Sequence, residues 1–539
     1  MNTIKRILRN PVRAALSAMS GSQQNASDTD VTPTRRKIYP AQSSIHPQTE
    51  PFSTAKLISD DIARLGALLL ERGVHWVQLP QVGQLQPRIA IDVVDRQATL
   101  DVLDFLYVNE NWKFRQYGKD GIAVRDRDLD QDALWAVSTG RLLKSAGGFE
   151  LSTAASEITV EFWNRIDPGQ ELPDGSVCHE QTMVRGIDAR GTAVLNISAQ
   201  TWNQVAESRA PLKFPAPHIL APSFPVDIVF TWVDGSDSVW ESRRAQYSDA
   251  QSESAPTHSS ASHESRFTNR DELRYALRSI EAFAPWANHI FIVTDQQAPA
   301  WLNVDHPKVT VVDHTEIFAD KSVLPVFNSH SIESQLHRIP GLAEHYLYMN
   351  DDVLFMRPVE KSMFFHANGI AKFFPATLPL DWAPVQSDDL PVVSAAKANR
   401  DLINADFGTF VSQRLRHTPH AQIKSLVQGL EDTHPDVFEQ TAKNRFRSRD
   451  DYSIPSALVH WYGYSLGKAV PGRVKYSFAD LDSPTLEQDL EKFSARRDLD
   501  ILCVNETALT SGKEAEVAEL AKAFFEYRFP WTSTFEKSS

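Results

Sequence analysis

The chain has 539 residues, enough for two or three domains with a substantial core, and its 42% apolar and 23% charged content matches an ordinary water-soluble protein. A formal charge of −14 with no long Lys/Arg-rich stretch argues against a nucleic-acid binder, although one local site suffices for a nucleotide sugar. The only two cysteines, Cys178 and Cys503, exclude a disulfide framework, argue against a zinc site built on thiolates and fit a reducing compartment.

Residues 1–50 open with Lys5, Arg6, Arg9 and Arg13 interleaved with Ile4, Ile7, Leu8, Val12, Leu16 and Met19, a basic amphipathic pattern suited to an anionic membrane surface. Pro11 interrupts it and polar sequence follows, so a disordered tail is expected, with peripheral contact to the cytoplasmic membrane left open. No run approaches the roughly 18 to 20 apolar residues that span a bilayer, and no secretory signal is recognisable. The expected location is therefore cytoplasmic.

Residues 51–210 read as a smaller N-terminal α/β domain, with a helix at Ala55–Glu71 and a strand at Arg88–Val94, but no catalytic constellation. A Pro-rich connector, residues 211–225, leads into a larger region, 226–539. There Asp227–Gly235 reads as a buried strand ending in a turn, and 243–265 as a Ser/Ala/His-rich loop able to close over a site. A helix follows, with Asn269 as N-cap and Glu272 at the capping-box position; then come strands at His289–Thr294 and Lys308–Val312, a helix at Ser331–Arg338, and a strand at Tyr346–Met349. This order predicts a doubly wound, Rossmann-like, mostly parallel sheet, with Asp234 and Asp351-Asp352 at the same edge.

The last strand stops abruptly on paired carboxylates, Asp351 and Asp352, a pattern that can hold magnesium or manganese against phosphate but is also common in solvated turns. Glu333 and His337, four apart, are expected to share one flank of the preceding helix, as a site pair or a surface pair. Arg416-His-Thr-Pro-His420 sets two histidines at a proline turn before a helix, and Asn444-Arg-Phe-Arg-Ser-Arg-Asp-Asp451 carries three arginines. These can move a proton and hold phosphate, or form a solvated basic face. Trp461, Tyr462 and Tyr464 fit either a sugar-stacking surface or an aromatic core patch.

These segments fall in ordered blocks: Asp227–Asp237; Arg266–Pro358, including Glu272–Glu281, Ala284-Pro-Trp286, Ile332-Glu-Ser334, His337-Arg-Ile339 and Asn350-Asp-Asp352; Phe407–Val470; and Cys503-Val-Asn-Glu506 with the following Ala515–Tyr527 helix. Together they resemble the Stealth family, which includes bacterial capsular and exopolysaccharide sugar-phosphate transferases and the catalytic subunit of the lysosomal-enzyme N-acetylglucosamine phosphotransferase. The resemblance implies a glycosyltransferase-like sheet and transfer of an intact sugar 1-phosphate from a nucleotide diphosphate sugar, such as a UDP-N-acetylhexosamine or UDP-hexose, to a glycan hydroxyl, releasing UMP. It further implies Mg2+ or Mn2+ at Asp351 and Asp352, His417 as general base, Arg447 as phosphate clamp, Glu333 and Asp352 ordering the site, and Asp234, Gly235, Arg278, His337 and Arg338 toward substrate. Residues 52–209 lie outside the resemblance, and no large inserted recognition domain is present, which suits a polysaccharide acceptor. Two readings compete: a metal-dependent glycosyltransferase transferring the sugar without phosphate, and an inactive glycan-binding protein.

Overall fold

The computed structural model describes residues 51–537 except 84, 119–122, 125–133, 146–147, 173–174, 187–193, 253–266 and 507–512. The basic tail and residues 253–265 of the expected loop lie outside the described residues; residues 243–252 belong to a helix, Ser238–Ser252.

Five short strands form the sheet that positions the site: β1 (Val226–Thr231), β2 (Ile290–Thr294), β3 (Val309–Asp313), β4 (His345–Asn350) and β5 (His420–Ile423). Their spatial order is β3-β2-β1-β4-β5. The first four run parallel and β5 runs antiparallel to β4. β1 and β2 are almost continuous runs of Val, Ile and Phe buried on both faces, as a parallel sheet covered by helices requires. The Rossmann-like architecture expected from the sequence is thus present, and Asn350 pairs with Thr231, which brings the carboxyl ends of β1 and β4 to one edge.

After β4 the chain turns at Asp351-Asp352 and re-enters a second, three-stranded sheet. Here Val353–Phe355 pairs antiparallel with Ile501–Asn505, which runs parallel to Tyr476–Asp480. Residues 76–198 build an eight-stranded, mainly antiparallel sheet backed by the helices Thr54–Glu71, Arg96–Asn109 and Ala199–Ser208. Its edge joins the main core: Phe52, Leu57, Phe149 and Leu151 lie in one apolar cluster with Phe283, Phe529 and Trp531. Residues 211–225 hold no helix or strand.

Three local expectations need correction. The Ser331–Arg338 helix is two pieces, an α-turn at Ser329–Glu333 and a 3-10 turn at Leu336–Arg338, because Asn328 caps the first piece and the chain kinks at Ser334-Gln335. The helix after Asn269 begins only at Glu272; Asp271 takes a left-handed conformation (φ 63°), so Asn269 instead accepts from the Asp271 amide at 3.0 Å. The helix expected after the proline turn, Lys424–Thr433, is preceded by the strand β5, which begins at His420.

Candidate active site

The site forms where three segments meet the Asp351-Asp352 turn. Pairing of Val353 with Cys503 brings the 503–506 segment alongside, and the Asp352 carbonyl accepts from the Val504 amide at 2.9 Å. Oδ2 of Asp352 accepts from the Asn505 amide group, and the Cys503 thiol lies 3.7 Å from it. Oδ1 instead faces Nε2 of His417 at 3.4 Å. Both of these atoms are buried, and neither makes a hydrogen bond of good geometry. His417 is held there by its neighbours: the Arg416 guanidinium donates to the carbonyls of Pro375 (3.2 Å) and Val474 (3.0 Å), and His420 locks into β5 opposite Tyr348.

A second wall is acidic. Glu272, at the first turn of the Glu272–Phe283 helix, accepts from the Arg270 amide at 2.6 Å, while the Arg270 guanidinium pairs with Glu506. Burial, opposed in part by that hydrogen bond and by Arg270, raises the Glu272 carboxyl to about 6, with the Asp352 charge adding to the rise. Asp351 is pushed well above the usual carboxylate range by burial and then by Glu272 and Asp352. Three carboxylates thus crowd one corner with less cationic charge than they need.

The third wall carries the opposite charge. Arg447 donates to Ser329 Oγ at 2.7 Å, and Glu333 accepts from Ser456 Oγ at 3.1 Å. Both are registered by Asp451, which is fully buried and accepts from Asn328 (2.9 Å), Asn444 (2.7 Å) and the Ser448 amide (2.9 Å). Burial lowers the Arg447 pKa, with Glu333, Asp451 and Tyr348 partly offsetting it. Burial also opposes protonation of His417, but Asp352 and then Glu333 outweigh burial and Arg447, so its pKa lies above the ordinary 6.5. The Tyr348 hydroxyl, 3.2 Å from Thr231 Oγ1, is held protonated by burial and by Glu333.

Five of the expected residues, Asp351, Asp352, Glu333, His417 and Arg447, therefore converge from four separate stretches of chain. Asp234 and Gly235 lie at the same sheet edge, in the turn after β1. Asp234 accepts from the Ser236 amide at 3.0 Å, and its own amide and carbonyl are clasped by the Gln297 side chain at 3.0 Å each. A Cβ on Gly235 would come within 2.4 Å of the Phe267 carbonyl, so the close strand-to-loop approach admits only glycine.

Three expected substrate contacts are engaged elsewhere. Arg278 forms a fork onto Glu536 (2.7 and 2.8 Å) and donates to the Phe529 carbonyl. His337 and Arg338 share Glu431, at 2.8 and 2.7 Å, because the kink after Glu333 turns them away from it. The expected Glu333–His337 pair does not form. Trp461 packs edge-on against Phe373 and Tyr462 is buried, as a core patch; Tyr464 is exposed.

Arg270, Glu272, Cys503 and Asn505 were not singled out as site residues from sequence. Among the described residues, one group of three potential metal ligands is found, Asp352, His417 and Cys503, with ligand atoms within 4.8 Å of one another. It contains Asp352 but not Asp351, which sequence reasoning had paired with it.

A Rossmann-like sheet with acid, base and guanidinium gathered at its carboxyl edge places these groups where open α/β sheets bind their ligands. Models of Stealth conserved regions 1, 2 and 3 match residues 224–252, 266–373 and 416–464. The exopolysaccharide phosphotransferase SCO6021 of Streptomyces coelicolor is 40% identical over 383 residues, 70% of this chain and 70% of that protein. The chain belongs to the Stealth family. It is also similar to the exopolysaccharide phosphotransferase SCO6023 of Streptomyces coelicolor (44% over 318 residues, 58% of this chain) and spans 53% of that relative, about half its length. CpsY of Mycobacterium tuberculosis, another exopolysaccharide phosphotransferase, is 38% identical over 327 residues, 60% of each chain. Among solved structures, galactosyltransferase LgtC in complex with donor and acceptor sugar analogs aligns at 12% identity over 56% of this chain and 95% of that one, with a TM-score of 0.27, too low to support any inference.

Proposed function

We propose that this chain transfers a sugar 1-phosphate from a nucleotide diphosphate sugar, a UDP-hexose or UDP-N-acetylhexosamine, to a hydroxyl of a growing exopolysaccharide. The observation that carries this reading is His417 facing Asp352 beside Glu333 and Arg447: a basic nitrogen, a carboxylate to steady its charged form, and a guanidinium fork. In-line phosphoryl transfer asks for positioning and charge neutralisation of this kind.

In this mechanism the His417 imidazole takes the proton of the acceptor hydroxyl. The new O–P bond forms at the sugar-bearing phosphorus as its bond to the nucleotide oxygen breaks, and that electron pair leaves with UMP. Asp352 stabilises the imidazolium, and Arg447 neutralises charge on the phosphoryl oxygens, for which its planar fork is suited. Glu333 orders the wall through Ser456, and the turn at Asp234-Gly235 offers a surface for the nucleotide end.

A divalent cation suits this corner, because Asp352 Oδ1 is buried without a hydrogen bond, Glu272 and Asp352 raise the Asp351 pKa, and Asp352 raises that of Glu272. Mg2+ or Mn2+, held chiefly by Asp351 and Asp352, supplies charge neutralisation on the diphosphate when bound. The reaction is assigned to the cytoplasm, with the basic tail as a peripheral membrane contact; among the described residues no helix is long and apolar enough to cross a membrane.

Incubation with UDP-N-acetylglucosamine, Mg2+ and a short capsule-type glycan, followed by phosphorus NMR and nucleotide analysis, tests the proposal. UMP with a phosphodiester resonance is expected; UDP with a phosphorus-free glycan would make the chain a glycosyltransferase instead.

A further inference from the structure

We propose that Asp352, His417 and Cys503 form a binding site for a thiophilic divalent cation, Zn2+ foremost, which shares Asp352 with the magnesium corner and so competes with it. The inhibitory consequence drawn below rests on His417 being the base; the site itself does not.

Tetrahedral zinc has bonds of about 2.0–2.2 Å to nitrogen and oxygen and about 2.3 Å to sulfur, which sets neighbouring ligand atoms roughly 3.3 Å (N to O) and 3.6 Å (S to O) apart. Here His417 Nε2 stands 3.4 Å from Asp352 Oδ1, and Cys503 Sγ stands 3.7 Å from Asp352 Oδ2. The nitrogen–oxygen contact is long for a direct hydrogen bond, and with one ligand atom from each residue the three lie within 4.8 Å of one another, close enough to share an ion. Asp352 is only 8% exposed, yet its Oδ1 has no hydrogen-bond partner, and the same is true of the buried His417 Nε2. A buried carboxylate oxygen and an imidazole nitrogen aimed at each other, unsatisfied, are costly unless something joins them.

The chemistry of the set selects the ion. Magnesium demands near-octahedral oxygen ligands and retains waters, whereas imidazole with thiolate suits zinc and its neighbours. Three protein ligands leave a fourth position, and the His417 side chain, 37% exposed, provides a route in from solvent. Binding exchanges the Cys503 thiol proton for a Zn–S bond and releases that proton to solvent, so affinity rises with pH. Asn505 holds the carboxylate oriented toward the ion. The sparse cysteines argue against a multi-thiolate structural site, and one thiolate is all this arrangement uses. Occupancy ligates the His417 imidazole and takes Asp352 from it, so zinc should silence proton abstraction while leaving the fold intact.

The test is titration of the metal-free full chain with Co2+, read by absorption. A thiolate-to-cobalt charge-transfer band in the near ultraviolet with intense visible bands, saturating at one ion per chain, is expected. Cys503→Ser should abolish the charge-transfer band and weaken Zn2+, measured by competition with a chromophoric chelator, by at least about tenfold; His417→Gln should weaken Zn2+ similarly. A weak octahedral spectrum in the parent chain, or unchanged Zn2+ affinity in Cys503→Ser, overturns the site. No turnover is needed for these readings, so failure of the transferase assay leaves them standing, and the converse holds. If turnover is present, Zn2+ at constant Mg2+ should depress it; undiminished turnover at saturating Zn2+ overturns the inhibitory role.

Discussion

Two buried carboxylates on two sheets are treated in opposite ways. In the N-terminal sheet, Glu161 is 1% exposed and each oxygen takes two donors: Arg88 (2.7 Å) and Arg185 (2.5 Å) on one, Arg185 Nε (2.7 Å) and Trp163 Nε1 (3.1 Å) on the other. At the edge of the parallel sheet, Asp352 is 8% exposed and keeps one oxygen without any donor, beside a histidine nitrogen in the same state. A satisfied buried charge cements architecture; an unsatisfied one marks where the molecule meets a proton, an ion or a phosphate.

The comparison breaks if removing the unsatisfied partners harms folding or removing the satisfied one harms chemistry. His417→Ala should lower kcat by about 10²–10⁴-fold, the usual worth of a general base, with thermal unfolding little changed. Arg447→Lys should cost about 10²–10³-fold, since an ammonium cannot reproduce the fork, as steady-state assays would register. Glu161→Ala should do the reverse. Leaving Arg185 buried without its partner costs about 3–5 kcal/mol in denaturant unfolding, while the protein that remains folded keeps its kcat.

Smaller effects sharpen the contrast. Because Asp352 and Glu333 raise the His417 pKa above 6.5, the base is disabled by protonation at a higher pH than a free imidazole. Turnover should therefore fall as pH drops through a value above 6.5, and in Asp352→Asn the residual acid limb should move to lower pH. Glu272 shifts stability in the opposite sense to a salt-bridged carboxylate. Its folded pKa of about 6 exceeds the ordinary 4.5, so its protonated form supports the fold below about 4.5 and that support is lost as pH rises through about 6. Glu272→Gln should flatten thermal stability across that window, and saturating Mg2+ should do so in the parent chain. Least of all, Arg338→Ala should cost no more than about 1 kcal/mol and leave donor KM unchanged, since its partner is Glu431.

The sheet and its acidic edge were legible because apolar runs of β1, β2 and β4 end abruptly in Asp or Gly, a signal local to each strand. Glu333, His417 and Arg447 followed from their residue types once the resemblance set their order. What escaped was decided by distant pairing. Cys503 reaches the site only because Val353 pairs with it across 150 residues, and nothing near Glu272 in sequence announces that its helix starts against Asp351. β5 is four residues long and follows Pro419, below the length at which alternation can be read. His337 and Arg338 misled because an uninterrupted helical period hid the kink at Ser334-Gln335.

The antiparallel pairing of β4 with β5 has a further consequence, for where this chain can tolerate length changes. Tyr348 is fixed opposite His420, and His417 hangs three residues before that pair. Strand residues advance by about 3.4 Å each and alternate faces, so one residue added between His417 and His420 would carry the imidazole off Asp352. Residues added in the exposed turn 408–410, which follows the helix Pro391–Phe407, would be absorbed at the surface. Evolution and engineers alike are thus free to lengthen one side of the base and barred from the other.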